Sequence, residues 1–65
     1  MTKLISAADV ALAFAVKEGK LRMVVRESRF GGEFYSLEDD VGVIEVANTH
    51  AEAVSRIKEI EEALA

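Results

Sequence analysis

The sequence predicts an α+β domain in which a three-stranded antiparallel meander carries a C-terminal helix packed on one face. Three observations predict it. Residues 49–64 repeat apolar side chains at helical spacing behind a helix-start signal, three short strand-like runs precede them, and glycine- and aspartate-containing turns separate those runs. A chain of 65 residues has room for one such domain, spanning 1–65.

The N-terminal segment, residues 6–18, admits two readings. Ser6 with Asp9 three positions later resembles a capping box, although the motif proper has Glu or Gln at the second position. Five alanines favour a helix and Gly19 suits its stop, which gives the order α-β-β-β-α. Yet Val10, Leu12, Phe14 and Val16 alternate strictly with Ala11, Ala13 and Ala15, the period of a strand. In that alternative the segment is a fourth strand and Lys17 to Lys20 form a hairpin loop. Alanine is poor in strands, so the helix is preferred. In either case the segment is apolar on nearly every side, and such segments are buried all round.

The strands follow. Leu21 to Glu27 alternates Leu21, Met23 and Val25 against Arg22, Val24 and Arg26. Glu33 to Leu37 holds Phe34 and Tyr35, and Val43 to Val46 is a β-branched run. Gly31-Gly32 supplies a positive-φ turn between the first two, and Asp39, Asp40 and Gly42 mark the second turn. In the last helix Thr49 and Glu52 form a capping box. Ala53, Val54, Ile57, Ile60 and Leu64 make its apolar face, and Glu52 is spaced to pair with Arg56.

Composition limits the function classes. A chain this short buries roughly 60% of its unfolded surface, so its core is marginal. It has no Cys to form a disulfide or a thiolate metal site, and one His makes no structural zinc site. The remaining route to stability is burial in an assembly, which predicts a homo-oligomer, most simply a dimer, with Val10, Leu12, Phe14 and Val16 at its interface. Lys3 and the apolar stretch to Val16 imitate a secretory leader. Asp9 interrupts that stretch, and the run from Leu4 is too short to span a bilayer, so a cytoplasmic protein without membrane attachment is expected.

Charge is the next constraint. The net charge is −4, which argues against nucleic-acid binding. Residues 1–30 hold six basic and three acidic side chains, whereas residues 31–65 hold two basic and nine acidic ones. That layout suggests two electrostatic faces, able to stack on a second copy or to steer a basic protein partner. Lys20, Arg22 and Arg26, near Phe30, Phe34 and Tyr35, could in principle hold single-stranded nucleic acid. Cross-strand pairing with Glu33, Glu38 or Glu45 accounts for them more simply.

No catalytic, cofactor-binding or metal-binding residue is assigned. His50 sits in the first turn of the last helix, where a protonated imidazole opposes the dipole, so a neutral surface or packing role is expected. Glu38-Asp39-Asp40 lacks the alternating ligands of a calcium loop, and Gly31-Gly32 lacks the flanking residues of a phosphate loop.

Residues 24–64 carry a resemblance. Val24-Val25-Arg26-Glu27, Gly31-Gly32-Glu33-Phe34-Tyr35-Ser36-Leu37, Asp40-Val41-Gly42-Val43-Ile44 and Asn48-Thr49-His50-Ala51-Glu52-Ala53 together resemble the HicB antitoxin family. That pattern runs strand, glycine turn, strand, aspartate-glycine turn, strand and a helix opened by Thr and a Glu-Ala pair. The prolines that usually flank the aspartate-glycine turn are missing, and about 20 residues before the first strand are additional. The resemblance implies a non-catalytic module that neutralises a protein partner such as a basic RNA-cleaving toxin. Joined to the acidic second half, it places partner binding on Glu38, Asp39, Asp40, Glu59, Glu61 and Glu62. A small structural or regulatory homo-oligomer without a toxin partner, phage-encoded or not, is the alternative. The order α-β-β-β-α is also similar to the double-stranded-RNA-binding domain. His50, Ala51, Glu52 and Ala53 stand where that family carries lysines, so RNA binding is not carried over.

Overall fold

A computed structural model describes residues 6–65. Its elements are α1 (Ala7–Glu18), β1 (Arg22–Glu27), β2 (Glu33–Glu38), β3 (Val43–Ala47) and α2 (His50–Leu64). The strands form one antiparallel sheet in the order β1-β2-β3. This is the α-β-β-β-α arrangement the sequence predicts. No described helix is long and apolar enough to cross a membrane; Lys3, Leu4 and Ile5, which open the leader-like stretch, lie outside the described residues.

The N-terminal segment is a helix because its ends are specified. Asp9 N–H donates to Ser6 Oγ at 3.0 Å and Ser6 N–H donates to Asp9 Oδ2 at 3.1 Å, so the shorter acid completes the box. Gly19, at φ 69°, ends the helix in the left-handed conformation, and Lys20 N–H returns to Ala15 C=O at 2.8 Å. Wound at 3.6 residues per turn, the alternating run separates into two i,i+4 pairs. Leu12 and Val16 turn inward, whereas Val10 and Phe14 remain on the surface. The fourth-strand alternative is thereby excluded.

Leu12, Ala13, Leu37, Ala53 and Ile60 form the buried core, with Leu21, Tyr35, Ile44 and Ile57 among the partly buried residues around it. Buried alanines on both helices let α1 and α2 approach each other and the sheet. Both helices lie on the same face, principally over β2 and β3.

Register assigns the strand residues to faces, because residues directly opposite share one. Met23 faces Leu37, Val25 faces Tyr35 and Tyr35 faces Ala47, which places them on the helix-covered face. A register shift between Leu37 and Glu38 brings both Ile44 and Glu45 to that side: Ile44 packs on the core and Glu45 bonds α2. The other face carries Arg22, Val24 and Arg26 from β1, Phe34, Ser36 and Glu38 from β2, and Val43 and Val46 from β3. No described element covers it.

Both turns form as expected. Gly31 and Gly32 have φ of 91° and 82° in the first. In the second, Asp39 Oδ1 accepts from Val41 N–H at 2.9 Å and Gly42 N–H at 3.1 Å.

Candidate interaction surfaces

The basic stripe on the first strand is occupied by neighbours. Lys20 Nζ lies 3.3 Å from both Glu18 and Asp40, which raise its pKa. Arg22 Nη2 donates to the Asp39 carbonyl at 3.0 Å. Arg26 reaches diagonally across the bare face to Glu38 Oε2, at 2.9 Å from Nε and 2.7 Å from Nη2. Of the three acids expected to pair with the stripe, Glu38 does so.

The six acidic residues expected to bind a partner are placed in different ways. Glu38 is 9% exposed, and the Ser36 hydroxyl and Arg26 beside it hold its carboxyl below the usual range. Ser36 Oγ is itself buried and meets no partner in hydrogen-bonding geometry among the described residues, so its influence on Glu38 is that of a nearby dipole. The backbone amides of Gly42 and Val41 lower the pKa of Asp39. Asp40 pairs with Lys20, and Glu59 accepts from Arg56 Nη1 at 2.9 Å. Glu61 and Glu62 are exposed on the last turns of α2, where no basic residue accompanies them.

Arg56 is the hub of the covered side. Its guanidinium bonds Glu45 at 2.8 Å and 3.1 Å, Glu59 and, from Nη2, Asp9. With 18% of its side chain exposed, it ties α1, β3 and α2 together. The hydrogen bonds it donates to Glu45 are the largest of the causes that raise its pKa, so it stays charged at any working pH. The expected Glu52–Arg56 pair does not form. Glu52 instead accepts from Asn48 N–H at 3.1 Å and donates its own N–H to Thr49 Oγ1, which fixes the helix start. Helical spacing suggested the Glu52 partner, but the hub depends on Asp9, 47 residues away, and sequence spacing carries no signal for it.

The residues expected at an oligomer interface are also divided. Leu12 is fully buried in the chain's own core and Val16 packs against that core, which corrects the expectation for those two. Val10 and Phe14 stay exposed, at 43% and 60%, and line a shallow hollow with Lys17 and Leu64. Sequence pattern alone does not single out the bare face of the sheet. Val24 and Val46 flank Ser36 in one cross-strand row, with Phe34 and Val43 in the rows on either side. The signal available was Val24, a β-branched residue on the polar side of the alternation.

His50 opens α2 and meets Tyr35 edge to face, with ring centroids 5.6 Å apart, a packing role. Among the described residues no group of three or more His, Cys, Asp or Glu could hold a metal ion. Comparison with protein-family models, with curated proteins and with solved structures returned no match.

Proposed function

We propose that the chain is a non-catalytic protein-interaction module, HicB-like over residues 24–64, which neutralises or regulates a protein partner in the cytoplasm by docking it on the bare face of the sheet. One observation carries this reading. Val24, Phe34, Val43 and Val46 lie on a face with no described element over it, while the charges among them, Arg26 and Glu38, already satisfy each other. A face of that kind loses little by desolvation when a partner covers it, and an aromatic such as Phe34 suits the centre of an interface. The acidic end of α2, with Glu59, Glu61 and Glu62, steers a basic partner towards it; Glu38, Asp39 and Asp40 are spent on internal contacts.

The partner to test is the product of an adjacent reading frame encoding a small basic protein. It should co-purify with this chain, and Phe34→Lys with Val46→Lys should weaken the complex at least about tenfold while circular dichroism stays unchanged. Equal affinity for the folded variant, or no complex with that product, would sink the reading. Nucleic-acid binding is expected to be unmeasurable at physiological salt, since Lys20, Arg22 and Arg26 are engaged internally.

A further inference from the structure

The sheet has two edges, β1 and β3, and they differ. β3 is five residues long, is irregular in its pairing with β2, and lies under both helices. β1 pairs with β2 in unbroken register from Arg22 to Glu27 and holds no proline or bulge; of the devices that blunt an edge it carries charged side chains alone, and Arg22 and Arg26 are tied to Asp39 and Glu38 of their own chain.

One hydrogen bond gives the direction of its backbone groups. Ser28 N–H donates to Gly32 C=O at 2.9 Å. Ser28 and Gly32 continue the register in which Glu27 faces Glu33, and bonded pairs recur at every second residue of an antiparallel ladder. Arg22, Val24 and Arg26 therefore aim their N–H and C=O groups at β2. Met23, Val25 and Glu27 aim theirs out of the sheet. Met23 and Val25 also lie on the helix side yet are 37% and 52% exposed, because the helices sit over the other two strands.

We propose that β1 is a homodimer interface, at which two copies join antiparallel into one six-stranded sheet with Val25 facing its counterpart across the twofold axis. Charge selects that register. The axis must be normal to the sheet, so residues of the same face pair. Centred on Val24, the dimer sets Arg22 against Arg26 of the second copy, twice. Centred on Met23, it sets Lys20 against Arg26; centred on Arg26, it sets the two Arg26 side chains together. Centred on Val25, it pairs Met23 with Glu27, Val24 with Arg26 and Arg22 with Ser28, and no like charges stand directly opposite each other. The outward backbone groups of Met23, Val25 and Glu27 then bond one another, and Met23 and Val25 of both copies form one apolar strip between the two sets of helices. A second copy satisfies the whole edge, and a chain of this size gains the burial its own core lacks.

Light scattering on the full chain tests this. A dimer is expected at about 100 µM, with a dissociation constant in the micromolar range. Val25→Pro should give a folded monomer, because the N–H it removes is not donated to β2. Met23→Lys with Val25→Lys should weaken the dimer at least about tenfold, and this pair decides if the proline variant is unfolded by circular dichroism. Phe14→Lys should leave the dimer intact. A wild type monomeric at that concentration, a folded Val25→Pro or a double-lysine variant as dimeric as the wild type, or dissociation by Phe14→Lys would overturn the proposal. None of these positions is on the bare face, so the outcome is independent of the docking surface proposed above.

Discussion

The two faces of the sheet are made from alternate residues of the same three strands, yet different forces hold their side chains. On the covered face Leu37 is fully buried against Leu12, Ala53 and Ile60, and Arg56 closes the layer from above through carboxylates on α1, β3 and α2. On the bare face no described element forms a comparable layer. Its one fully buried side chain, Ser36, has no described element above it and lies beside the Arg26–Glu38 pair. The lesson is that burial alone does not mark a core: Leu37 and Ser36 are neighbours in β2, equally hidden, and of the two only Leu37 is enclosed by other described elements.

The largest expected effect breaks the covered face. Leu37→Ala removes a fully buried side chain from a core with few large members, and should cost about 2–5 kcal/mol. A domain of this size is stable by only about 3–10 kcal/mol, so the variant should be partly or wholly unfolded at room temperature. Phe34→Ala on the bare face should cost less than about 1 kcal/mol. Urea melts of the two variants measure the contrast, and equal losses would mean that the bare face is covered in solution.

Much of this contrast is legible in the sequence. The apolar spacing of Ala53, Ile57 and Ile60 places α2, and Gly31-Gly32 and the Asp39 turn place the strands, because each of these signals is local. The N-terminal segment is ambiguous, since alternation of Val10, Leu12, Phe14 and Val16 fits a strand as well as two i,i+4 pairs on a helix. Local capping by Ser6, Asp9 and Gly19 decides it. That same ambiguity explains why all four were expected at an interface, although Leu12 and Val16 belong to the chain's own core. Long-range pairing was not legible. Arg56 has a well-placed partner four residues away, and chooses Asp9 and Glu45 because the fold brings them onto the same side. The bare face went unseen for a similar reason, as alternation identifies two faces but does not say which will lack a cover.

A middle-sized effect tests the hub. Arg56→Ala leaves the Glu45 and Asp9 carboxylates without the cation that links their elements. Breaking a buried pair costs about 3–5 kcal/mol and a surface pair at most about 1, so a partly screened site should lose about 2 kcal/mol. Arg56→Met, which keeps much of the packing stem, should lose less. Urea melts at pH 7 check both; a loss below about 0.5 kcal/mol in the alanine variant would place the hub with ordinary surface pairs.

The smallest effect belongs to the bare face and is one of pH. Ser36, first, and Arg26 hold the folded-state pKa of Glu38 below its unfolded value of about 4.3. A group depressed in this way contributes stability that is fully present above its unfolded pKa and is lost as pH falls through the folded one. Wild-type stability should therefore decline below about pH 4 by more than a chain without these contacts. Arg26→Ala and Ser36→Ala each return the Glu38 pKa towards its unfolded value, so each should flatten the melting temperature between about pH 6 and pH 3 relative to wild type. The two should part company at pH 7. Both forfeit the Glu38 contribution there; Arg26→Ala also loses an ion pair and should fall further, whereas in Ser36→Ala the loss is offset by removal of a buried hydroxyl without a hydrogen-bond partner among the described residues. A Ser36→Ala chain that melted well below wild type at pH 7 would mean that the hydroxyl finds a partner in solution, and that the bare face is more ordered than its lack of cover suggests.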